Sequence, residues 1–315
     1  MKEERKRMKQ FGLRILLMLS LIIGTGAASA FAQTASDNDP VNLTIEQFSG
    51  NDFTFLNLPS DQQTVGYEIF TVKQAEAWDR SYPSDFSGHV GKEVTVTKTV
   101  WVPDQKEYLV YMTVNDTGEK LAEPTRNGQL ESLVLSSDLS KAKEKFLGKT
   151  VYPKARGLIG LNSAVKTPIL IGSPVEVVDV TAGTNAQTPI SLIVKVNGEQ
   201  AVLPIAYSWT NLPTTSWSKT AAWKESLFLK DPRKNLGWSR SVWENVDKAN
   251  VVEGMTKDQV LLSWGKPNLT QDNDTVWTYG RKILTFSEDK VQSIEIESEF
   301  KSLMRSRMNR VTPEQ

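Results

Sequence analysis

The stretch from Gly254 to Ile296 constrains the fold of this chain more than any other part of the sequence. Thr256 and Gln259 are spaced as a T-x-x-Q capping box, in which the threonine hydroxyl accepts from the amide of Gln259 while the glutamine side chain reaches back to Thr256. Gly265 can end the helix that follows, and Pro267 prevents its continuation. A short helix is therefore predicted after Thr256. The apolar stripe expected to be buried on it is Val260, Leu261 and Trp264.

Elements on both sides of this helix complete a small unit. Before it, Ser239 can cap a first short helix, because its hydroxyl can accept from a first-turn amide. After it, three apolar and β-branched runs, at residues 276–279, 283–287 and 291–296, are separated by turn residues. Residues 239–298 are therefore predicted to form two helices followed by a three-stranded antiparallel meander, an α+β unit.

This unit resembles the SmpA/OmlA (BamE-like) family of bacterial envelope proteins. The resemblance rests on the sequence GMTKDQVLLSWGKP and on the strands after it, within residues 239–296. The matching positions are Gly254, Met255, Thr256, Gln259, Val260, Gly265, Pro267, Trp277, Tyr279, Phe286 and Val291. The resemblance implies a protein-binding scaffold with an envelope protein as partner. Family members usually carry a lipid on a cysteine, and this chain has none, so export without a lipid anchor is expected.

Residues 43–207 are expected to be rich in β-strands, because short apolar and β-branched runs recur between turn residues. The run from Val94 to Val102 alternates and predicts a strand with one apolar face, and Asn197-Gly198 predicts a tight hairpin. A small barrel or sandwich is predicted, either as one body or as two that divide near residue 148. The segment GSPVEVV resembles the opening strand of bacterial Src-homology-like barrels.

The segment from 208 to 238 is interpreted as a connector rich in tryptophan. Planar indole rings can stack on sugar faces, which makes Trp217 and Trp223 a possible platform for a glycan or for peptidoglycan. The alternative is that the tryptophans of this segment fill the seam between two domains, and their irregular spacing favours that interpretation.

The sequence predicts an export signal at the N-terminal end of the chain and a basic helix or tail at the C-terminal end. Residues 1–32 have a basic start, an apolar run and small residues with cleavage points after Ala30 and Ala32, which is the layout of a secretory signal peptide. An uncleaved membrane anchor is the alternative. Residues 33–42 are expected to be a flexible leader, and residues 299–315 a basic helix or tail whose membrane contact is at most peripheral.

Composition excludes several function classes. The chain has no cysteine and one histidine, so it lacks the residues for a thiolate nucleophile or for a Cys- or His-rich metal centre. Its 37 basic and 37 acidic side chains give no net charge to attract nucleic acid. We expect no cofactor and no enzymatic activity, although paired carboxylates of a hydrolase leave no spacing signal. The function predicted is that of an exported scaffold in the periplasm or envelope, or secreted, that binds an envelope protein. The alternative is a protein that binds the cell wall or a glycan.

Overall fold

The computed structural model of the protein describes residues 40–59, 62, 63, 66–161 and 163–298. Those residues form an α+β fold in which three antiparallel sheets are accompanied by five short α-helices. The predicted signal peptide and the predicted C-terminal tail lie outside the described residues, as does the predicted leader up to residue 39.

The first sheet has six strands, in the order β2-β5-β4-β3-β1-β6. They are β1 (Asp52–Phe55), β2 (Phe70–Thr71), β3 (Glu93–Val102), β4 (Glu107–Val114), β5 (Lys120–Thr125) and β6 (Leu133–Leu135). Helix α1 (Val72–Glu76) follows β2 directly. The single apolar face predicted for β3 is interrupted: Val94 and Val96 are buried, but a register shift between Val96 and Lys98 leaves Val100 39% exposed.

Helix α2 (Ser136–Phe146) separates the first sheet from the second, next to the division predicted near residue 148. Its buried Ala142 and Phe146 belong to the core of the second sheet. The ring of Phe146 packs edge-on against Trp223 and Tyr207, with centroids 5.6 and 6.2 Å away. This helix therefore supplies aromatic packing where the two sheets adjoin.

The second sheet has seven strands, in the order β13-β7-β10-β11-β12-β8-β9. They are β7 (Thr150–Pro153), β8 (Gly157–Gly160), β9 (Ser163–Pro168), β10 (Val175–Ala182), β11 (Ile190–Val196), β12 (Glu199–Ile205) and β13 (Leu227–Phe228). The predicted hairpin at Asn197-Gly198 is confirmed, since both residues have positive φ and join β11 to β12. No pairing between β13 and β9 closes this sheet into a barrel within the described part of the chain.

The segment predicted as a connector is part of the fold. Its strand β13 pairs with β7, and its side chains Trp223 and Leu227 belong to the core of the second sheet. A short helix, α3 (Pro232–Asn235), follows. Strand β13 therefore extends the second sheet, and Trp223 and Leu227 help to fill its core.

The C-terminal unit consists of α4 (Arg240–Asp247) and α5 (Lys257–Trp264), followed by a four-stranded sheet. The prediction of two helices is confirmed, whereas the prediction of three strands is wrong by one. The strands are β14 (Leu269–Gln271), β15 (Val276–Tyr279), β16 (Lys282–Ser287) and β17 (Lys290–Ile296). Strand β14 pairs with β15 across a turn that includes Asp272, Asn273 and Asp274, all with positive φ. Two of the three β14 residues are polar, so no apolar run marked the strand.

Candidate functional site

The capping box predicted for α5 is confirmed. The hydroxyl of Thr256 accepts from the amide of Gln259 at 3.4 Å, and Gln259 Oε1 accepts from the amide of Thr256 at 2.9 Å. Gly265 ends the helix at φ 81° and ψ −162°, a conformation open essentially to glycine alone. The hydroxyl of Tyr279 donates to the Gly265 carbonyl at 2.9 Å and fixes this turn.

The other positions of the family resemblance have packing roles or lie in turns. Gly254 and Pro267 lie in the turns before and after α5. The members buried in the core between the helices and the third sheet are Met255, Val260, Trp277, Phe286 and Val291. These five side chains are buried, so they serve packing and are not available to a ligand.

Lys257, which sequence reasoning did not single out, joins the start of α5 to two turns of the sheet. Its Nζ lies 2.9 Å from a carboxylate oxygen of Asp274 and 3.3 Å from one of Asp289. It also lies over the rings of Trp277 and Phe286, at 5.7 and 5.5 Å from their centroids. The hydrogen bond to Asp274 is the main reason that the pKa of Lys257 is raised.

The outer face of the third sheet is mixed in polarity. Side chains that alternate with the core positions are Leu269, Gln271, Val276, Thr278, Ile283, Thr285, Ser293 and Glu295. None of the three apolar members is among the exposed large hydrophobic residues. A contiguous apolar patch would indicate a protein interface; among the described residues, this face shows no exposed large apolar side chain.

The two tryptophans proposed as a glycan platform lie in different packing environments. Trp223 is 6% exposed and packs into the second core against Phe146. Trp217 is half-buried and packs beside Trp209, and its Nε1 donates to the Leu212 carbonyl at 3.0 Å. A buried ring cannot stack on a sugar, and Trp223 packs into the core of the second sheet.

A cleft of about 540 Å³ opens where α5 faces the second sheet. Its apolar lining consists of Phe228, Leu236, Trp238, Leu261 and Leu262. Leu261 was predicted to be buried with Val260, but the turn of the helix leaves it 37% exposed in this cleft. The volume is within the usual range of ligand sites in proteins.

Four charged side chains frame the cleft: Lys154, Glu225, Asp258 and Lys266. Lys266 Nζ lies 3.0 Å from a carboxylate oxygen of Glu225. Lys154 Nζ donates to the carbonyl of Lys224 at 2.5 Å and lies over the ring of Phe228. Burial lowers the pKa of Lys154, and the nearby carboxylates of Glu225 and Asp258 oppose that shift. The two cations and two anions balance, so the cleft does not select a strongly charged ligand.

A second depression, of about 350 Å³, adjoins the cleft and shares Lys154 and Glu225 with it. Its floor includes Ile159, which is 41% exposed, together with Leu203 and Pro204.

Sequence reasoning missed the lining of this cleft because its residues come from separate parts of the chain. Lys154 follows β7, Phe228 is in β13, and Leu261 is in α5. No spacing rule joins them. The one available signal was that Val260 and Leu261 are adjacent, so a single helix face cannot bury both fully.

The described residues give little support for chemistry at other places. The only histidine, His89, is buried, and its ring nitrogens lie 2.7 Å from the Asp85 carbonyl and 3.0 Å from a carboxylate oxygen of Glu119. Within the described ranges, no group of three or more His, Asp or Glu side chains is placed to hold a metal ion. Over the same ranges, no helix is long and apolar enough to cross a membrane.

Comparisons of the chain with protein-family models, with curated proteins and with solved structures give no match.

Proposed function

We propose that this chain is an exported, non-enzymatic protein of the bacterial envelope that binds a segment of another envelope protein in the cleft at α5. The observation that supports this most is the cleft itself, which leaves Leu261 and Leu236 exposed beside a balanced set of charges. The resemblance of residues 239–296 to the SmpA/OmlA (BamE-like) family supports the scaffold role. The signal-like residues 1–32 support export.

The proposed occupant is a protein segment with apolar side chains. Its apolar groups would cover Leu261, Leu262 and Trp238, whose contact with water is unfavourable. The ammonium group of Lys154, which donates to one peptide carbonyl within the chain, could donate to a carbonyl of the bound segment. The exposed carboxylate of Asp258 could accept from an amide of that segment. A balanced charge set accepts such a segment without requiring charge on it.

Site-specific photo-crosslinking in the native host tests this proposal. A photoreactive residue in place of Leu261 or Leu236 should capture the same envelope protein, whereas one in place of Tyr82, which is 78% exposed on another part of the chain, should not. The purified partner should then bind the chain directly. Capture of a second copy of this chain, or of its own residues 299–315, at both cleft positions would contradict the proposal.

A matched pair of variants makes the binding test quantitative. Leu261→Asp places a charge in the apolar lining and should weaken binding of that partner at least tenfold, as loss of a central contact does. Leu147→Asp alters a leucine of similar exposure, 40% against 37%, outside the cleft and should leave binding unchanged. Equal affinities of the two variants for that partner would show that the partner does not bind in the cleft.

Glycan binding is the second candidate, and one observation favours it. Trp238, a member of the tryptophan-rich segment, lines the cleft together with Phe228 and is not fully buried. Sedimentation with purified peptidoglycan tests it. Trp238→Ala should abolish sedimentation, whereas Trp217→Ala, outside the cleft, should not. Absence of sedimentation by the unaltered protein would reject this candidate and leave the protein-binding proposal standing.

A further inference from the structure

A separate polar depression, of about 390 Å³, lies at the open edge of the first sheet, and we call it the β5 depression. Strand β2 pairs only with Leu121 and Ala122 of β5, so residues 123–125 continue beyond β2 and line the depression. Much of the remaining wall comes from the turn after β5, within residues 126–131. Pro124 has no amide hydrogen to offer another strand, which argues against strand addition here.

Several charged groups of this wall are already satisfied within the chain. Arg80 and Arg126 each pair with the carboxylate of Glu107, the second at 3.8 Å. Glu123 is almost fully buried, and its carboxylate accepts from the hydroxyl of Ser132 and from a nearby backbone amide. These groups shape the wall, so the capacity to bind a ligand lies with the other polar side chains.

Two carboxylates of the β5 depression are free to accept. Glu68 and Glu131 line it, and both residues are exposed. In the part of the chain that the structure describes, neither carboxylate forms an ion pair or a hydrogen bond. An ionised carboxylate can only accept hydrogen bonds, so these two groups suit a ligand that donates.

Asn127 presents free donors in the same wall. Its Oδ1 accepts from the backbone amide of Gln129 at 3.0 Å and from the hydroxyl of Thr125 at 3.2 Å. The bond from the backbone amide fixes which end of the side chain is the oxygen. The Nδ2 group therefore keeps two donors, and no described residue accepts from them.

A separate observation points to a missing ligand. Gln129 lines the same depression and is only 6% exposed, yet its Nε2 has no hydrogen-bond partner among the described residues. Buried polar groups nearly always have a partner, so this donor calls for an acceptor from outside the described chain. A hydroxyl oxygen is such an acceptor. Because a hydroxyl also donates, it would satisfy the buried end of this amide in either orientation of the side chain.

An aromatic ring lies beside the depression. Trp78 follows the end of α1, is 36% exposed, and its ring centroid is 5.4 Å from the guanidinium group of Arg80. Its φ of 55° is uncommon for a bulky residue, and glycine usually takes this position after a helix. An exposed indole ring offers an apolar face on which a sugar ring can stack.

We propose that the β5 depression binds an uncharged sugar. The wall offers free carboxylate acceptors and free amide donors, and a hydroxyl group pairs with both. A sugar carries several hydroxyls on one rigid ring, so it can pair with these side chains together at a small cost in conformational freedom. An anion would face the carboxylates of Glu68 and Glu131, and a cation would leave the amide donors unpaired. The volume suits a small organic ligand, and this site does not depend on the proposed cleft.

Saturation-transfer difference NMR of the purified protein tests the proposal with four disaccharides, which are maltose, lactose, mannobiose and chitobiose, each at about 10 mM. At least one should show transfer to its ring protons. Its fully O-methylated counterpart keeps the ring and its acceptors but has no hydroxyl to donate, so it should bind at least about tenfold more weakly. Absence of transfer to all four sugars, or equal binding of the methylated one, would overturn the proposal.

Variants locate the site. Asn127→Asp keeps the oxygen that holds the turn but removes the two donors, and it should weaken sugar binding about tenfold. Gln129→Leu should weaken binding to a similar extent without lowering the melting temperature, because the Nε2 group makes no bond within the described protein. Trp78→Ala should also weaken binding, and Glu199→Gln, at an exposed residue of the second sheet, is the control.

Two outcomes would refute the assignment to this depression. Unchanged binding by both Asn127→Asp and Gln129→Leu would place the sugar elsewhere on the protein. Loss of binding in Trp238→Ala, with Asn127→Asp unaffected, would assign the sugar to the cleft at α5 instead.

A sugar unit of an envelope polymer presents the same hydroxyls as a free sugar. The methyl glycoside of the bound disaccharide distinguishes these two sources, because it blocks the reducing end as a polymer linkage does. Affinity equal to that of the free sugar would assign the site to polymer-linked sugars, and tighter binding of the free sugar would assign it to free sugars.

Discussion

We expect Asp138 to make the stability of this protein depend on pH. Its carboxyl lies in the first turn of α2, is 5% exposed and accepts from the hydroxyl of Ser208. Burial raises its pKa from 3.8 to about 7, against smaller opposing effects of the Ser208 hydrogen bond and of Lys141. A carboxyl of this kind holds its proton in the folded chain at a pH where the unfolded chain has released it.

The sign and the size of the effect follow from that difference. The folded state binds the extra proton between about pH 4 and pH 7, so raising the pH through this window favours unfolding. The difference between a pKa of 3.8 in the unfolded chain and one of about 7 in the folded chain corresponds to about 4 kcal/mol at most. The stability that comes from keeping this buried carboxyl protonated is therefore fully present below the pKa of the unfolded chain. It is lost as the pH rises to about 7, the pKa of Asp138 in the folded chain.

Urea unfolding of Asp138→Asn, followed by tryptophan fluorescence, measures this contribution. Asparagine stays neutral and keeps an oxygen for the Ser208 hydroxyl. As the pH rises from 4 to 8, the free energy of unfolding of the variant should increase by up to about 4 kcal/mol relative to that of the unaltered protein. Asp104→Asn, at an exposed turn after β3, should follow the unaltered protein. Parallel pH profiles of Asp138→Asn and the unaltered protein would refute the reasoning.

Four further variants, of which Gly88→Ala is a control, test the packing and turn assignments by thermal and urea unfolding. Thr256→Ala removes the hydroxyl that caps α5 and should cost about 1 kcal/mol; no change would mean that the cap is dispensable. Gly265→Ala has free space for its methyl group but a conformation that alanine avoids, so a cost of about 1–3 kcal/mol is expected. Gly88→Ala has equal space without positive φ and should be nearly neutral. Phe146→Ala empties a buried site between α2 and the second sheet and should cost about 3–5 kcal/mol; a loss below 1 kcal/mol would show that the site collapses readily.

Local structure was largely predictable from the sequence where it depends on residues close together in the chain. The capping box at Thr256 and the hairpin at Asn197-Gly198 involve residues close together in the chain, where hydrogen bonds and positive φ follow from residue type. Strand β14 was not predictable in this way, because two of its three residues are polar and its pairing depends on the turn before β15.

The candidate sites depend on contacts between distant parts of the chain, which is why sequence reasoning missed them. Lys154, which follows β7, and Leu261, in α5, line the cleft from distant parts of the chain. Trp223 shows the converse error: a large aromatic side chain in a segment without clear periodicity was taken as a possible ligand platform, although burial makes it part of a core.

The first described residues of the chain are joined to a segment far along it. The Thr210 hydroxyl donates to the Val41 carbonyl and accepts from the amide of Leu43, while Asn42 accepts from the amide of Trp209. As the chain emerges from the ribosome, about 170 more residues must be synthesised before the partners of these early residues are present. Until then the carbonyl of Leu133, which receives the side-chain amide of Asn211, also lacks its donor. A fragment that ends near residue 148 or 207 would therefore leave the carbonyls of Val41 and Leu133 and the amide of Leu43 without these partners.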